Sequence, residues 1–255
     1  MNRFRGLEMS NFALKRGLKK VRKKVRSAAT SWMAEPSLHQ LETIRRYELD
    51  VVLLLLPDSG RVLEIGAGAG WQAKYLANRG YIVSAIDLPS SNYLENRIWP
   101  VIDYDGSKIP FDDNTFDVIF SSNVLEHIPN VYAIQEEIHR VLKQDGRVIH
   151  VLPSSGWRFW TNIAHLMKRW NVPQAHGEHA KNPFTEMFYF SRRYWARLFR
   201  ETGWAVEAYH SNKLFYTGES IMDSRLTINT RRKLSRLLGG ACNIFTLREI
   251  KRRLS

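Results

Sequence analysis

The densest chemical signal is Val62-Leu63-Glu64-Ile65-Gly66-Ala67-Gly68-Ala69-Gly70. An apolar run feeds glycines at alternate positions, the pattern of a buried strand that turns tightly into a helix. Glycine lets the backbone approach a ligand closely, and the N-terminus of the next helix carries N–H groups without intrahelical partners. The spacing disfavours two ligands. A dinucleotide loop wants Gly-x-Gly-x-x-Gly, but here the third glycine comes one residue early and Trp71 fills the slot that needs a small side chain. A phosphate-cradling loop wants Gly-Lys-Ser/Thr, which is absent.

Acids recur downstream in a fixed order. Asp87 closes the next apolar run, where a carboxylate can accept from both hydroxyls of a ribose. Asp105-Gly106-Ser107-Lys108-Ile109-Pro110-Phe111 follows, then Phe116-Asp117-Val118-Ile119 and Ser122-Asn123-Val124-Leu125-Glu126-His127-Ile128. Each acid also has a plainer use. Glu64 can complement a helix dipole, Asp87 can cap a helix ahead of Leu88-Pro89-Ser90, and Asp105 can close a turn before Gly106.

Taken together, these ordered motifs resemble the class I S-adenosylmethionine-dependent methyltransferases of the type-11 kind, over roughly Leu49 to Tyr209. The resemblance extends to Val141-Leu142-Lys143-Gln144-Asp145-Gly146, which departs from the family's Val-Leu-Lys-Pro-Gly-Gly turn, and to Thr202-Gly203-Trp204. It implies a Rossmann-like α/β fold: a seven-stranded, mostly parallel sheet with helices on both faces and an antiparallel last strand. It implies S-adenosyl-L-methionine as cofactor, held by Glu64, Gly66, Ala67, Gly68, Gly70, Asp87, Leu88, Asp105, Gly106 and Asn123. By the same resemblance Asp105 takes the adenine amino group and the backbone near Asn123 meets the methionine end.

The expected reaction is in-line attack by an acceptor nucleophile on a sulfonium methyl group. The leaving group is already cationic, so an aligned, dry pocket supplies much of the rate. A base is needed only when the nucleophile arrives protonated. His127 is the first candidate base, with a structural place in the Leu-Glu-His turn as the alternative. His176 and His179, in His-Gly-Glu-His, are further candidates for base or acceptor contact. No third ligand is evident beside that pair, so no metal is assigned.

The elements that must position these groups follow from hydropathy. Helices are expected over Leu38–Leu56, Trp71–Arg79, Ser90–Asn96, Val131–Leu142, Ser191–Glu201 and Ile228–Leu238. Strands are expected over Arg61–Ile65, Tyr81–Ile86, Trp99–Asp103, Phe116–Ser121, Arg147–Leu152, Trp204–Tyr209 and Ala241–Arg248. This alternation demands a parallel sheet covered on both faces. Residues 154–190 are dense in Trp, Phe, Tyr and His and read as a lid over a partly apolar acceptor, with the His176–His179 stretch as loop.

Composition bounds the rest. An apolar share of 44% in 255 residues supports a packed core, and the single Cys242 excludes a disulfide framework. Residues 1–26 carry ten Lys or Arg against one acid, and residues 225–255 carry nine against one, while the stretch between is slightly acidic. Leu7, Leu14, Leu18, Val21 and Val25 recur at helical spacing within the first run, with Trp32 beyond it. A basic amphipathic helix of that kind suits an anionic membrane surface. The expected organisation is an N-terminal arm (1–27) and a methyltransferase domain (28–255) ending in a basic segment. A cytoplasmic enzyme, attached peripherally to the inner membrane face, is the expected setting, since no apolar h-region opens the chain. The expected acceptor is a small molecule, lipid or lipid-linked compound, methylated on oxygen or carbon. RNA-directed methylation through the basic ends and a non-catalytic cofactor-binding module are the competing readings. Nucleic acid is the weaker partner, because no Asn-Pro-Pro-Tyr segment follows strand four and no RNA-binding module is recognisable.

Overall fold

The computed structural model describes residues 38–91, 93–218 and 226–250. The N-terminal arm, Trp32, Glu219 and the last basic residues lie outside the described residues.

Helix α1 (Leu38–Leu53) leads into β1 (Arg61–Ile65), α2 (Trp71–Ala77), β2 (Ile82–Asp87) and the two-residue β3 (Ile102–Asp103). Next come β4 (Phe116–Ser122), α3 (Val131–Val141), β5 (Leu142–Pro153), α4 (Ser155–Arg169) and α5 (Pro183–Tyr189). The last elements are α6 (Arg192–Glu201), β6 (Trp204–Ser211), α7 (Ile228–Leu238) and β7 (Cys242–Glu249). The seven strands form one sheet in the order β3-β2-β1-β4-β5-β7-β6. β7 inserts antiparallel between β5 and β6, and the pairs from β3 through β5 are parallel. The expected fold is therefore observed.

Strand alternation divides the core in two. Leu63, Ile65, Ile119 and Val148 face Ile134, Ile138, Trp195 and Phe199 of α3 and α6. Val62, Val118, Phe120, Ile149 and Val151 face Leu49 and Val52 of α1 and Leu76 of α2. Burying both faces explains why these strands read as near-continuous apolar runs. The parallel strands end on one side of the sheet, where the turns after β1, β2 and β4 gather. Ligands of open α/β sheets bind at that side.

Several boundaries differ from expectation, each for a physical reason. α1 stops at Leu53, and tighter turn bonds, Leu55 N to Val52 O and Leu56 N to Leu53 O, lead into Pro57. α2 ends at Ala77 rather than Arg79, capped by Asn78. Between Ser90 and Asn96 only a 3-10 turn forms, at Leu94–Asn96. The expected strand from Trp99 shrinks to Ile102–Asp103 because Pro100 has no N–H to pair and Trp99 packs against Gly70 instead. β5 begins at Leu142, which pairs with Phe116 ahead of a register shift.

Most of the aromatic insertion is helix, which the sequence reading did not assign, and the His176–His179 stretch is loop between α4 and α5, as expected. Ser154 caps α4 by accepting from Trp157 N, and Asn182 caps α5 by accepting from Phe184 N and Thr185 N, with Pro183 at the first helical position. In the basic C-terminal segment, Arg231 is a buried strut: its guanidinium donates to Phe215 O and Leu226 O. No helix among the described residues is long and apolar enough to cross a membrane.

Candidate active site

The turn after β1 is closed on itself. Gly66 N and Ala67 N both donate to Ile86 O, Gly68 N donates to Asp87 Oδ2 at 2.8 Å, and Gly70 N donates to Ala67 O. Four amides of the turn are thus spent inside the protein. Gly66 and Gly68 take φ of 72° and 56°, the left-handed region that glycine adopts without strain. A Cβ on Gly66 would lie 2.3 Å from Val124 Cγ2, so the turn after β1 presses directly on the turn after β4. The Ala67 side chain sits in a small cluster with Ala73 and Ala85 beneath α2. Tyr93 lies against Gly68 on the outer side.

Glu64 is fully buried beneath this turn. It accepts from the Ala73 backbone, while its Oε2 lacks a partner among the described residues. Burial pushes its carboxyl up to about 8, with Asp87 adding to the effect. Asp87, half-buried at the end of β2, also accepts from Leu88 N at 2.8 Å through Oδ1. Leu88 is exposed and faces Gly106, where a Cβ would meet Leu88 Cδ2 at 3.0 Å. Asp105 is exposed, and its Oδ1 accepts from Ser107 N and Lys108 N, which hold its carboxyl below the usual range. The plainer use as a turn acid is therefore present. Asn123 ends β4 with φ of 55°, its N–H donating to Val151 O. Its Oδ1 accepts from Cys242 Sγ at 3.7 Å. Behind that contact, Cys242 Sγ meets Tyr216 Oη at 3.0 Å, and Tyr216 Oη and Asn212 Nδ2 both donate to Glu48 of α1.

The insertion reaches this side of the sheet. A 3-10 turn, Leu125–His127, follows Asn123. His127 and His176 are neighbours, ring centroids 4.7 Å apart, and Trp157 stands 5.2 Å from His176. His179 instead turns its Nε2 towards Leu125 O at 3.3 Å and packs against Trp195, so it works as a strut. Burial lowers the pKa of His127 and takes that of His176 down to about 4. The loop carrying His176 is anchored by groups the sequence did not single out. Glu186 Oε1 accepts from His176 N at 2.6 Å and Gly177 N at 2.5 Å, and Arg158 Nε pairs with Glu186 Oε2 at 2.7 Å. Both side chains of that pair are buried. Glu126, between Leu125 and His127, is fully buried as well. The Leu-Glu-His string hides its use, because the companion of His127, His176, stands 49 residues further along the chain.

A cleft of about 600 Å³ lined by His139, Lys143, Gly146 and Arg248 lies at the opposite ends of the strands. A second, of about 390 Å³, opens on the insertion itself between His179, Lys181, Asn182, Thr185, Phe188 and Tyr189.

Comparison with known proteins places the chain. Residues 38–209 match a family model described as a methyltransferase domain. A glycine/sarcosine/dimethylglycine N-methyltransferase of Actinopolyspora halophila is 33% identical over 104 residues, 36% of this chain and 18% of that protein. A sterol 4-C-methyltransferase of Caenorhabditis elegans is 30% identical over 106 residues, 38% of this chain and 32% of that protein. The chain thus spans less than two thirds of these relatives. Among solved structures, an S-adenosylmethionine-dependent methyltransferase from Aquifex aeolicus aligns with a TM-score of 0.53 at 18% identity, over 90% of this chain and 98% of that one. One from Mesorhizobium loti aligns at 0.54 and 16% identity, over 80% and 98%. At these identities the structures speak for the fold, and the family match carries the assignment. The protein belongs to the class I S-adenosylmethionine-dependent methyltransferases.

Proposed function

We propose that the protein transfers the methyl group of S-adenosylmethionine to an oxygen or carbon of a small-molecule or lipid-like acceptor. The observation that carries this reading is the clamp of the aromatic insertion onto the turn after β4. It sets His127, His176 and Trp157 together close after Asn123, the residue this reading assigns to the methionine end of the cofactor.

The turn after β1 fits the cofactor. Its inward-bonded amides offer little to a phosphate, while its bare glycine backbone suits a nucleoside without one. Bound S-adenosylmethionine supplies a methyl group on a cationic sulfur. In this reading Asp87 accepts from the ribose hydroxyls, Leu88 and Gly106 flank the base, and Asp105 receives the adenine amino group. Gly66, Gly68 and Asn123 shape the methionine end. His127 and His176 have depressed pKa values, so both are neutral near pH 7 and able to take a proton from an acceptor hydroxyl. Phe184 and Phe188, each 64% exposed on the insertion, favour an acceptor with an apolar body. The basic arm, residues 1–26, would then bring the enzyme to an anionic membrane surface.

Calorimetric titration with S-adenosylhomocysteine, followed by transfer of a labelled methyl group to lipid extracts and to RNA, tests the proposal. Cofactor binding with label in the lipid fraction supports it. Label in RNA alone, or binding without transfer to any acceptor, overturns it in favour of one of the competing readings.

A further inference from the structure

Three side chains that can ligate a metal meet beside Asn123. Glu126 and His127 come from the 3-10 turn after β4, and His176 from the loop between α4 and α5. One ligand atom of each lies within 4.8 Å of the other two. Glu126 is fully buried, yet neither of its carboxylate oxygens has a hydrogen-bond partner among the described residues. The His127 Nε2 stands 3.9 Å from its Oε1. Burial pushes the Glu126 carboxyl up to about 8. A buried carboxyl left without donors is either kept protonated or matched by a cation that takes the proton's place. The neighbouring cations make their direct pairs elsewhere, Arg158 with Glu186 at 2.7 Å and Arg45 with Glu48 at 2.8 Å, and Arg45 acts on Glu126 only across space.

The third group is held in place by design of the backbone. Glu186 fixes the amides of His176 and Gly177, and Glu178 N donates to Glu126 O at 2.9 Å. Residue 177 must be glycine, since a Cβ there would lie 2.6 Å from that same carbonyl. The loop is therefore pinned to the residue whose carboxylate lacks a partner.

We propose that Glu126, His127 and His176 bind one divalent first-row transition-metal cation. Two imidazoles and a carboxylate suit zinc, manganese, iron or cobalt, whereas magnesium and calcium prefer oxygen alone. Ligand atoms at about 2.0–2.2 Å from such an ion sit closer together than they do here. Closing the set takes side-chain rotations of His127 and His176, each of which has one side packed against protein and the other open to solvent. Three protein ligands leave a position open to the acceptor side, as in catalytic metal sites. An acceptor oxygen bound there would lose its proton more easily, and the proton would pass to solvent, because His127 and His176 would then act as ligands in place of the base role proposed above. That last role rests on the transferase reading; the binding of the cation does not.

The test uses the full chain without a histidine tag, freed of metal by chelation. Zinc is titrated by calorimetry, and cobalt by its visible absorption. One equivalent should bind, with affinity at least about tenfold weaker in His127→Ala, His176→Ala and Glu126→Gln than in the wild type. His210→Ala, at an exposed position on β6, should bind like the wild type. Melting without metal confirms that the two histidine variants are folded. No stoichiometric binding, or equal affinity in wild type, His127→Ala and His176→Ala, overturns the site. S-Adenosylhomocysteine titrated into the same samples reports separately on the cofactor reading.

Discussion

Gly66→Ala tests whether the turn after β1 is packed as described. Two costs follow from the geometry. The residue holds φ at 72°, and an L side chain in the left-handed region costs roughly 1–2 kcal/mol. The new methyl would also stand 2.3 Å from Val124 Cγ2 and 2.7 Å from Val124 Cγ1, well inside the roughly 3.5–4.0 Å of a normal carbon contact. Relieving such overpacking typically costs about 1–3 kcal/mol. The combined loss of about 2–5 kcal/mol lowers the melting temperature by roughly 5–15 °C for a domain of this size. Gly80→Ala separates the terms, because Gly80 has φ of 93° and nothing within 4 Å of its Cβ position. It should show the backbone cost alone. Val124→Ala removes both clashing methyls and leaves Val124 Cβ at 3.1 Å, so the Gly66→Ala/Val124→Ala pair should couple favourably by about 1–3 kcal/mol. The assay is calorimetric melting of the four variants. A Gly66→Ala protein that melts with the wild type, or a double variant with no coupling, refutes the claim that the two turns are in hard contact.

Further predictions follow from the same contacts. Asp87→Ala removes the acceptor for Gly68 N and Leu88 N and, with it, the proposed ribose contact; S-adenosylhomocysteine affinity measured by calorimetry should fall by about 10- to 100-fold. Glu64 has a folded-state pKa raised to about 8 from about 4.5, so the fold prefers its protonated form. Its stabilisation is complete below about pH 4.5 and is lost as pH rises through about 8. Wild-type melting should therefore lose ground to Glu64→Gln between about pH 5 and about pH 8. Arg158→Ala strands the buried Glu186 carboxylate and should cost about 3–5 kcal/mol in denaturant unfolding. Amide exchange should rise first at residues 174–178, since Arg158 also donates to Gln174 O. The membrane proposal predicts that flotation on anionic vesicles is lost when the chain starts at Ala28; equal recovery of both forms would remove the arm's assigned role.

Much of the fold was legible because parallel strands covered on both faces must be apolar throughout, and glycines at alternate positions mark a tight turn. Val62–Ile65, Phe116–Ser121 and the helix that starts at Ser191 could be read directly. The short β3 could not, because Trp99 and Val101 look like strand residues until Pro100 is weighed. The helices of the insertion were also missed, although Ser154 and Asn182-Pro183 are ordinary helix starts. Aromatic density drew attention away from them. Asp105 was legible both as a site acid and as a turn acid, and the structure shows its Oδ1 occupied by its own turn.

The sequence alone determined the family, the sheet and the tight turn after β1, because those depend on local spacing within some twenty residues at a time. It did not determine what gathers around the turn after β4. His176 reads naturally with His179, its neighbour in the chain, yet the structure turns His179 to Leu125 O and sets His176 beside His127. The partners of Glu126, the Arg158–Glu186 anchor and the Glu48–Tyr216–Cys242 chain behind Asn123 likewise join distant segments. Such groupings follow from how helices of an insertion pack on a sheet edge, and packing has no signature in the spacing of residues along one strand of chain.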